Sequence, residues 1–146
     1  VLSELEGLSS RLFEFSEFLV QVLGITDVGG KLKGDVTYHD CCHLKRELGI
    51  SSQPRDLIKG VKGINFVELD QSDVCCGFGG TFAIKYPDIS GAILEQKIRN
   101  IKSSGADILV ANDTSCLMHM TGSFSRLGVD IEAMHIAQFL DKAMED

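Results

Sequence analysis

The chain has 146 residues, of which 44% are hydrophobic and 24% are charged, as is typical of one globular domain. These values exclude an intrinsically disordered or fibrous protein, and a net charge of −7 argues against a broad nucleic-acid-binding surface. No apolar run approaches the roughly 18 residues that a membrane-spanning helix needs. Five unevenly spaced cysteines favour a reducing compartment and metal-binding or catalytic thiols over a disulfide framework.

The first predicted element is a helix from about Ser3 to Leu23. Its apolar residues recur at intervals of three and four and form one stripe, made of Leu5, Leu8, Leu12, Phe15, Leu19 and Val22. We expect this stripe to belong to the hydrophobic core. The alternative is that part of it contacts a missing half of a longer protein.

Strands and helices then alternate along the rest of the chain. A long helix is predicted from near Pro87 and Asp88 to Gly105. The predicted strands are Asp35–Tyr38, Ile64–Leu69, Asp107–Ala111 and Ile131–Met134. This order predicts a single α/β domain over residues 1–146, with an open, mostly parallel sheet of about four strands flanked by helices in Rossmann- or flavodoxin-like βαβ units.

Thiols and other reactive side chains follow each predicted strand. In chain order these groups are Cys41–Cys42, Cys75–Cys76, Asp113 with Cys116, and His135. Because ligand sites of open α/β sheets form beyond the carboxyl ends of the strands, we expect these groups to converge at one edge of the sheet.

Several chemistries compete for this cysteine set. Structural zinc usually takes C-x2-C pairs, which are absent here, whereas neighbouring cysteines can reach different irons of one iron–sulfur cluster. A cysteine nucleophile would need only one thiol, with His43 or His135 as the base. The remaining alternative is that the thiols are buried and act as small apolar residues.

A glycine-rich segment follows the second cysteine doublet. It does not fit the dinucleotide-binding pattern G-x-G-x-x-G, because Phe82 stands where the last glycine would be. We instead expect Gly77, Gly79 and Gly80 to allow the backbone to approach a bulky cluster, with N–H groups directed at its sulfurs.

The cysteine spacing resembles that of a known family. There are 32 residues between Cys42 and Cys75 and 36 between Cys76 and Asp113. The motifs that carry the resemblance are Tyr38-His39-Asp40-Cys41-Cys42-His43, Cys75-Cys76-Gly77-Phe78-Gly79-Gly80, Cys116-Leu117-Met118 and His135-Ile136. The chain resembles the cysteine-rich CCG domains, especially the C-terminal half of the lactate utilization protein A and glycolate oxidase iron–sulfur subunit family.

That resemblance implies an iron–sulfur cluster, of the 4Fe–4S type, or zinc as the alternative. The implied ligands are Cys42, Cys75, Cys76 and Cys116, with Gly77, Gly79 and Gly80 beside the cofactor. Asp113 stands where the family has a further cysteine, and Asp113, His43 and His135 are additional metal-ligand candidates. Cys41 lies at a position that the motif does not require and is interpreted as an accessory thiol.

The resemblance also implies a function. It predicts a cytoplasmic electron-transfer subunit of a lactate- or glycolate-oxidising complex, in contact with the membrane only through partners and without activity alone. The implied partners are the other subunits of a 2-hydroxy acid oxidase and a missing N-terminal half. A zinc-binding structural module and a thiol-active domain of heterodisulfide-reductase type remain alternatives. For Lys85, Arg46 and Arg55 we expect a solvated position, or else a role in facing an anionic substrate or in offsetting the charge of the thiolates.

Overall fold

A computed structural model describes residues 7–145 and contains one parallel sheet flanked by helices, which confirms the α/β prediction. The strands are β1 (Lys31–His39), β2 (Lys62–Phe66), β3 (Ile108–Ala111) and β4 (Glu132–His135). They lie in the order β2-β1-β3-β4, and each neighbouring pair is parallel. The chain therefore winds outward in both directions from the centre of the sheet.

Helices cover both faces of this sheet. They are α1 (Phe15–Glu17, continued by a π-helical turn, Phe18–Val22), α2 (Cys42–Glu47), α3 (Ser52–Gly60), α4 (Thr81–Lys85), α5 (Pro87–Ser104), α6 (Thr114–Leu127) and α7 (Ile136–Glu145). Pro87 begins α5 and the left-handed Gly105 ends it, as the sequence predicts. No helix within residues 7–145 combines the length and apolar character needed to cross a membrane.

Two hydrophobic layers sandwich the sheet. On one face, Val36 and Val110 pack with apolar residues of α3 and α7. On the other face, Leu109 packs with α5 and α6 in the cluster that also contains three of the cysteines. Since side chains alternate along a strand, the residues next to Val36 and Tyr38 in β1, including His39, face the second layer.

The predicted N-terminal helix is broken. Residues 7–9 are helical, residues 12–14 are not, and a new helix begins after Glu14; residues 1–6 lie outside the described part. The break occurs because Glu14 caps α1, accepting the backbone N–H groups of Ser16 and Glu17. The expectation that the stripe belongs to the core is wrong for its exposed members, which are Leu8, Leu12, Phe15 and Val22.

The strand order places the carboxyl ends of β1 and β3 side by side. His39 and Ala111 are partners at the end of this pair, and Ala111 is in turn the partner of His135 in β4. In doubly wound sheets the crevice between the two strands where the winding reverses is the usual ligand site. The segments after β1 and β3 meet at this crevice.

Candidate metal centre

Four cysteines from three separate segments line one cavity above this crevice. The cavity measures about 240 Å³. Its lining comprises Cys42, Cys75, Cys76, Cys116, His43, Phe78, Gly79, Gly80, Asp113 and Ser115. The convergence expected from the sequence therefore occurs for all four cysteines that the CCG resemblance marks as ligands.

The four thiols lie at two depths. Cys42 and Cys75 are half-buried and their thiols interact; burial and the neighbouring Cys75 raise the pKa of Cys42. Cys76 and Cys116 are buried, with their sulfurs 3.2 Å apart. The Cys116 thiol and burial raise the pKa of Cys76 to about 12. The Cys42 and Cys76 thiols are therefore protonated at neutral pH without a metal, so a bound metal must displace their protons.

The first doublet lies at the junction of β1 and α2. Cys41 precedes the helix in an extended conformation, with φ −67° and ψ 127°, and Cys42 is the first helical residue. This change of backbone conformation sends the two side chains in different directions. Cys42 faces the cavity, whereas Cys41, which is 1% exposed, lies in the core layer behind it.

A buried ion pair supports this junction. The two terminal guanidinium nitrogens of Arg55 each donate to Asp40 at 2.8 Å, and the Ser72 hydroxyl donates to Asp40 at 2.8 Å. Burial alone would raise the pKa of Asp40, but these hydrogen bonds and the Arg55 charge outweigh it and lower the pKa. Arg46 and Lys85 are exposed as expected, whereas the solvated position expected for Arg55 is wrong because it pairs with Asp40.

The second doublet is held by the backbone of the glycine-rich segment. The Gly77 N–H donates to the Cys75 sulfur at 3.3 Å, and the Ser90 hydroxyl donates to the Gly77 carbonyl at 2.7 Å. Gly77 has φ +92°, and a Cβ there would lie 2.7 Å from the Ser90 carbonyl oxygen. The Gly77 N–H is thus directed at the sulfur of a cysteine that lines the cavity.

Comparison with known proteins agrees with this geometry. Residues 36–121 match the family model for CCG, described as a cysteine-rich domain. The chain belongs to this family. The match includes both cysteine doublets and Cys116, so the CCG resemblance seen in the motifs is confirmed.

Curated relatives of this CCG domain carry the name lactate utilization protein A. The protein from Lysinibacillus sphaericus is 44% identical over 95% of this chain, and that from Macrococcus caseolyticus is 46% identical over 96%. The protein from Oceanobacillus iheyensis is 44% identical over 94% of this chain. The alignments span only 61%, 57% and 57% of those proteins, respectively, so the chain corresponds to somewhat more than half of each.

Asp113 positions Cys116 in the CCG domain. One of its carboxylate oxygens accepts the backbone N–H of Ser115 at 2.7 Å and that of Cys116 at 3.1 Å, which caps α6. The other lies 3.0 Å from the His43 ring nitrogen Nε2. Although burial opposes it, this hydrogen bonding lowers the pKa of Asp113. Both carboxylate oxygens of Asp113, a candidate metal ligand, therefore have protein partners. The ring of His43, another candidate ligand, is also occupied by its contact with Asp113.

His135 also has partners for both ring nitrogens. Its Nε2 donates to the Asn112 carbonyl oxygen at 3.1 Å, and its Nδ1 accepts the Ala137 N–H at 3.2 Å. The ring thus links the end of β3 to the beginning of α7. In this arrangement it offers no lone pair to a metal, so we do not include it among the proposed ligands.

Lys97 is a buried charge that the sequence reasoning left without a role. Its ammonium group donates to the carbonyl oxygens of Gln71 at 2.6 Å and Ser72 at 3.2 Å, in the segment that leads to Cys75. Burial lowers its pKa to about 8. The helical periodicity could have predicted its burial, because Lys97 lies three residues after Leu94 and four before Ile101, on the buried face of α5.

Proposed function

We propose that this CCG domain binds a 4Fe–4S cluster through Cys42, Cys75, Cys76 and Cys116 and transfers electrons within a complex that oxidises lactate. The observation that carries the proposal is the position of the four thiols: three segments distant in sequence deliver them to one cavity. The relatives' name, lactate utilization protein A, supports lactate as the substrate of the complex.

The donor set fits a cluster better than it fits a single small ion held by all four thiols. In the second doublet, Cys75 is half-buried while Cys76 is buried, so adjacent residues present sulfurs at different depths. Such an arrangement suits a group with several metal atoms, each of which takes one thiolate. Thiolates are also the ligands that iron–sulfur clusters prefer.

The chain's own residues would bind the cluster, shield it and balance its charge. Such a cluster, when bound, supplies one-electron transfer. The Gly77 N–H donates to the sulfur of Cys75, a contact that stabilises the thiolate. Phe78 covers part of the cavity and packs against His119, with ring centroids 5.6 Å apart. The Lys97 ammonium group offsets part of the negative charge of the thiolates.

Oxidation of the hydroxy acid itself is assigned to partner subunits with other cofactors. This chain spans less than two thirds of its curated relatives, and the remaining part of the longer protein is the first expected partner. The exposed apolar residues Phe15 and Phe18 of α1 are candidates for that contact. We expect a cytoplasmic complex, and no oxidation of lactate or glycolate by this chain alone.

Anaerobic reconstitution tests cluster binding. Incubation of the reduced chain with iron and sulfide should yield about four of each per chain, with a broad visible absorption. Cys42→Ser should lose most of the iron while remaining folded, because Cys42 is half-buried and begins a helix that needs no thiol. A chain that retains neither iron nor sulfide would contradict the proposal, as would unchanged iron content in Cys42→Ser.

The substrate is tested in the full-length protein with its partner subunits. Addition of lactate under anaerobic conditions should reduce the cluster, measured as bleaching of its visible absorption, and glycolate provides the comparison. Reduction by glycolate alone would overturn the choice of lactate. If instead one cysteine of the metal-free chain is alkylated far faster than the others at neutral pH, the thiol-active alternative is favoured.

A further inference from the structure

His39 is a buried histidine whose hydrogen bonding determines its tautomer. The ring is fully buried, and Nδ1 lies 3.1 Å from the carbonyl oxygen of Ser72. A carbonyl oxygen can only accept, so Nδ1 carries the proton and donates it. In the neutral ring, Nε2 is consequently a bare lone pair. No hydrogen-bond partner within the described residues satisfies it.

His39 belongs to a compact group of metal-binding side chains. A ring nitrogen of His39 and the sulfurs of Cys41 and Cys116 all lie within 4.8 Å of one another, and all three residues are buried. Cys76 adjoins this group, because its sulfur is 3.2 Å from that of Cys116.

We propose that His39, Cys41, Cys76 and Cys116 form an inner site for one thiophilic divalent ion such as Zn²⁺. This inner site is distinct in composition from the cluster site, since it adds His39 and Cys41 and omits Cys42 and Cys75. It does not rest on the proposed electron-transfer function. Three thiolates and one imidazole are an ordinary tetrahedral zinc ligand set.

The distances permit such coordination with a small adjustment. Zinc–sulfur bonds of about 2.3 Å and zinc–nitrogen bonds of about 2.0 Å place tetrahedral donor atoms roughly 3.6–3.8 Å apart. The donor atoms of His39, Cys41 and Cys116, which lie within 4.8 Å of one another, must therefore approach by about 1 Å at their widest, and the Cys76 sulfur joins them from its position 3.2 Å from that of Cys116. Cys76 and Cys116 line the cavity, which gives the ion a path to the inner donors.

Neighbouring groups orient the His39 imidazole for metal binding and balance the charge of the inner site. The bond from Nδ1 to the Ser72 carbonyl orients the imidazole, as the outer partners of metal-bound histidines do. An ion with three thiolates would carry one net negative charge. The Lys97 ammonium donates to the same Ser72 carbonyl oxygen and lies close enough to offset that charge.

The inner site and the cluster site share two ligands. Cys76 and Cys116 belong to both ligand sets, so the inner ion and the cluster exclude one another. We accordingly expect Zn²⁺ bound first to slow cluster reconstitution, and removal of Zn²⁺ by a chelator to restore it.

Titration of the reduced, metal-free chain with Co²⁺ tests the inner site, because Co²⁺ reports thiolate ligands through its charge-transfer absorption. We expect one Co²⁺ per chain, displaced by one Zn²⁺. Cys41→Ser should weaken Co²⁺ binding by at least about 10-fold, the scale at which even outer groups of metal sites act. Cys42→Ser is the matched control, from the same doublet, and should leave the Co²⁺ affinity unchanged.

Parallel reconstitution separates this proposal from the proposed function. Cys41→Ser should retain iron and sulfide, whereas Cys42→Ser should lose them, the reverse of their effects on Co²⁺. A wild-type chain that binds Co²⁺ but no cluster would refute the proposed function and leave the inner site standing. Equal loss of Co²⁺ affinity in both variants, or a Co²⁺ complex without thiolate bands, would overturn the inner site.

X-ray absorption of the wild-type Zn²⁺ complex provides a readout that does not depend on the folding of any variant. The expected first shell contains three sulfurs and one nitrogen. Four sulfurs, or a shell of oxygen and nitrogen only, would contradict the ligand set proposed here.

Discussion

The two cysteine doublets of this CCG domain look alike in sequence but differ in structure. Each has one half-buried and one buried thiol, in opposite order: Cys41 and Cys76 are 1% and 2% exposed. Cys76 nevertheless lines the cavity, whereas Cys41 does not. The difference follows from the backbone, because the first doublet spans a strand-to-helix junction and the second lies in an irregular segment. Burial alone therefore does not reveal which thiol faces a cofactor.

The doublets are also supported by different physics. An ion pair between Asp40 and Arg55, closed by Ser72, holds the segment before Cys41. Close backbone approach at Gly77, with a hydrogen bond from Ser90, holds the segment after Cys76. Substitutions that change charge should thus destabilise the segment before Cys41, and substitutions that add side-chain volume should destabilise the segment after Cys76.

The largest difference is expected between Cys75→Ser and Cys76→Ser. Cys76 belongs to both proposed ligand sets, so Cys76→Ser should abolish cluster formation and also weaken Co²⁺ binding by at least about 10-fold. Cys75→Ser should abolish cluster formation alone. Iron analysis and Co²⁺ titration of the two variants make this test. If both variants bind Co²⁺ as the wild type does, Cys76 is not an inner ligand.

Asp40→Asn should have the next largest effect, a loss of about 3 kcal/mol in the free energy of unfolding, because it removes the fully buried carboxylate that pairs with the largely buried Arg55 guanidinium. The matched control is Glu68→Gln, which removes the exposed partner of the same guanidinium and should cost less than about 1 kcal/mol. Urea unfolding of the metal-free chains measures both. Equal effects would show that the buried ion pair does not dominate this support.

Gly77→Ala should cost about 2 kcal/mol, because the added Cβ meets the Ser90 carbonyl oxygen at 2.7 Å on a backbone with positive φ. Gly128→Ala, in the left-handed helical region with φ +61° and ψ +49° and with no atom within 4 Å of the new Cβ, should cost only about 1 kcal/mol. Thermal or urea unfolding distinguishes them. A smaller loss for Gly77→Ala than for Gly128→Ala would disprove the close approach at Gly77.

The smallest predicted effect is a change in pH dependence. The pKa of Asp40 is lowered in the folded chain from its ordinary value of 3.8. The ionised carboxylate therefore contributes to stability above pH 3.8, and this contribution is lost as the pH falls through the pKa of the folded chain. The stability difference between the wild type and Asp40→Asn should therefore shrink in acid, measured by urea unfolding near neutral pH and below pH 3.8. A difference that stays constant would mean that Asp40 does not titrate with a lowered pKa.

Much of the fold could be predicted from local patterns. Each predicted strand overlaps an observed one, and α5 begins and ends where Pro87 and Gly105 indicate. The break in the N-terminal helix could not be predicted, because the apolar spacing continues through residues 10–14 while Glu14 caps a new helix. Arg55 was misjudged for a similar reason: its partner Asp40 lies 15 residues away, beyond any local pattern.

The amino-acid sequence by itself determined the α/β class, the cysteine spacing and the placement of thiols after successive strands, because these depend on local periodicity and chain order. Only the tertiary structure decided that β1 and β3 are neighbours, and hence that Cys42 and Cys116 share a cavity. It also decided that His39, whose Nε2 has no hydrogen-bond partner among the described residues, lies beside the buried thiols of Cys41 and Cys116. Strand order and burial arise from long-range packing, in which residues far apart in the chain compete for the same interior.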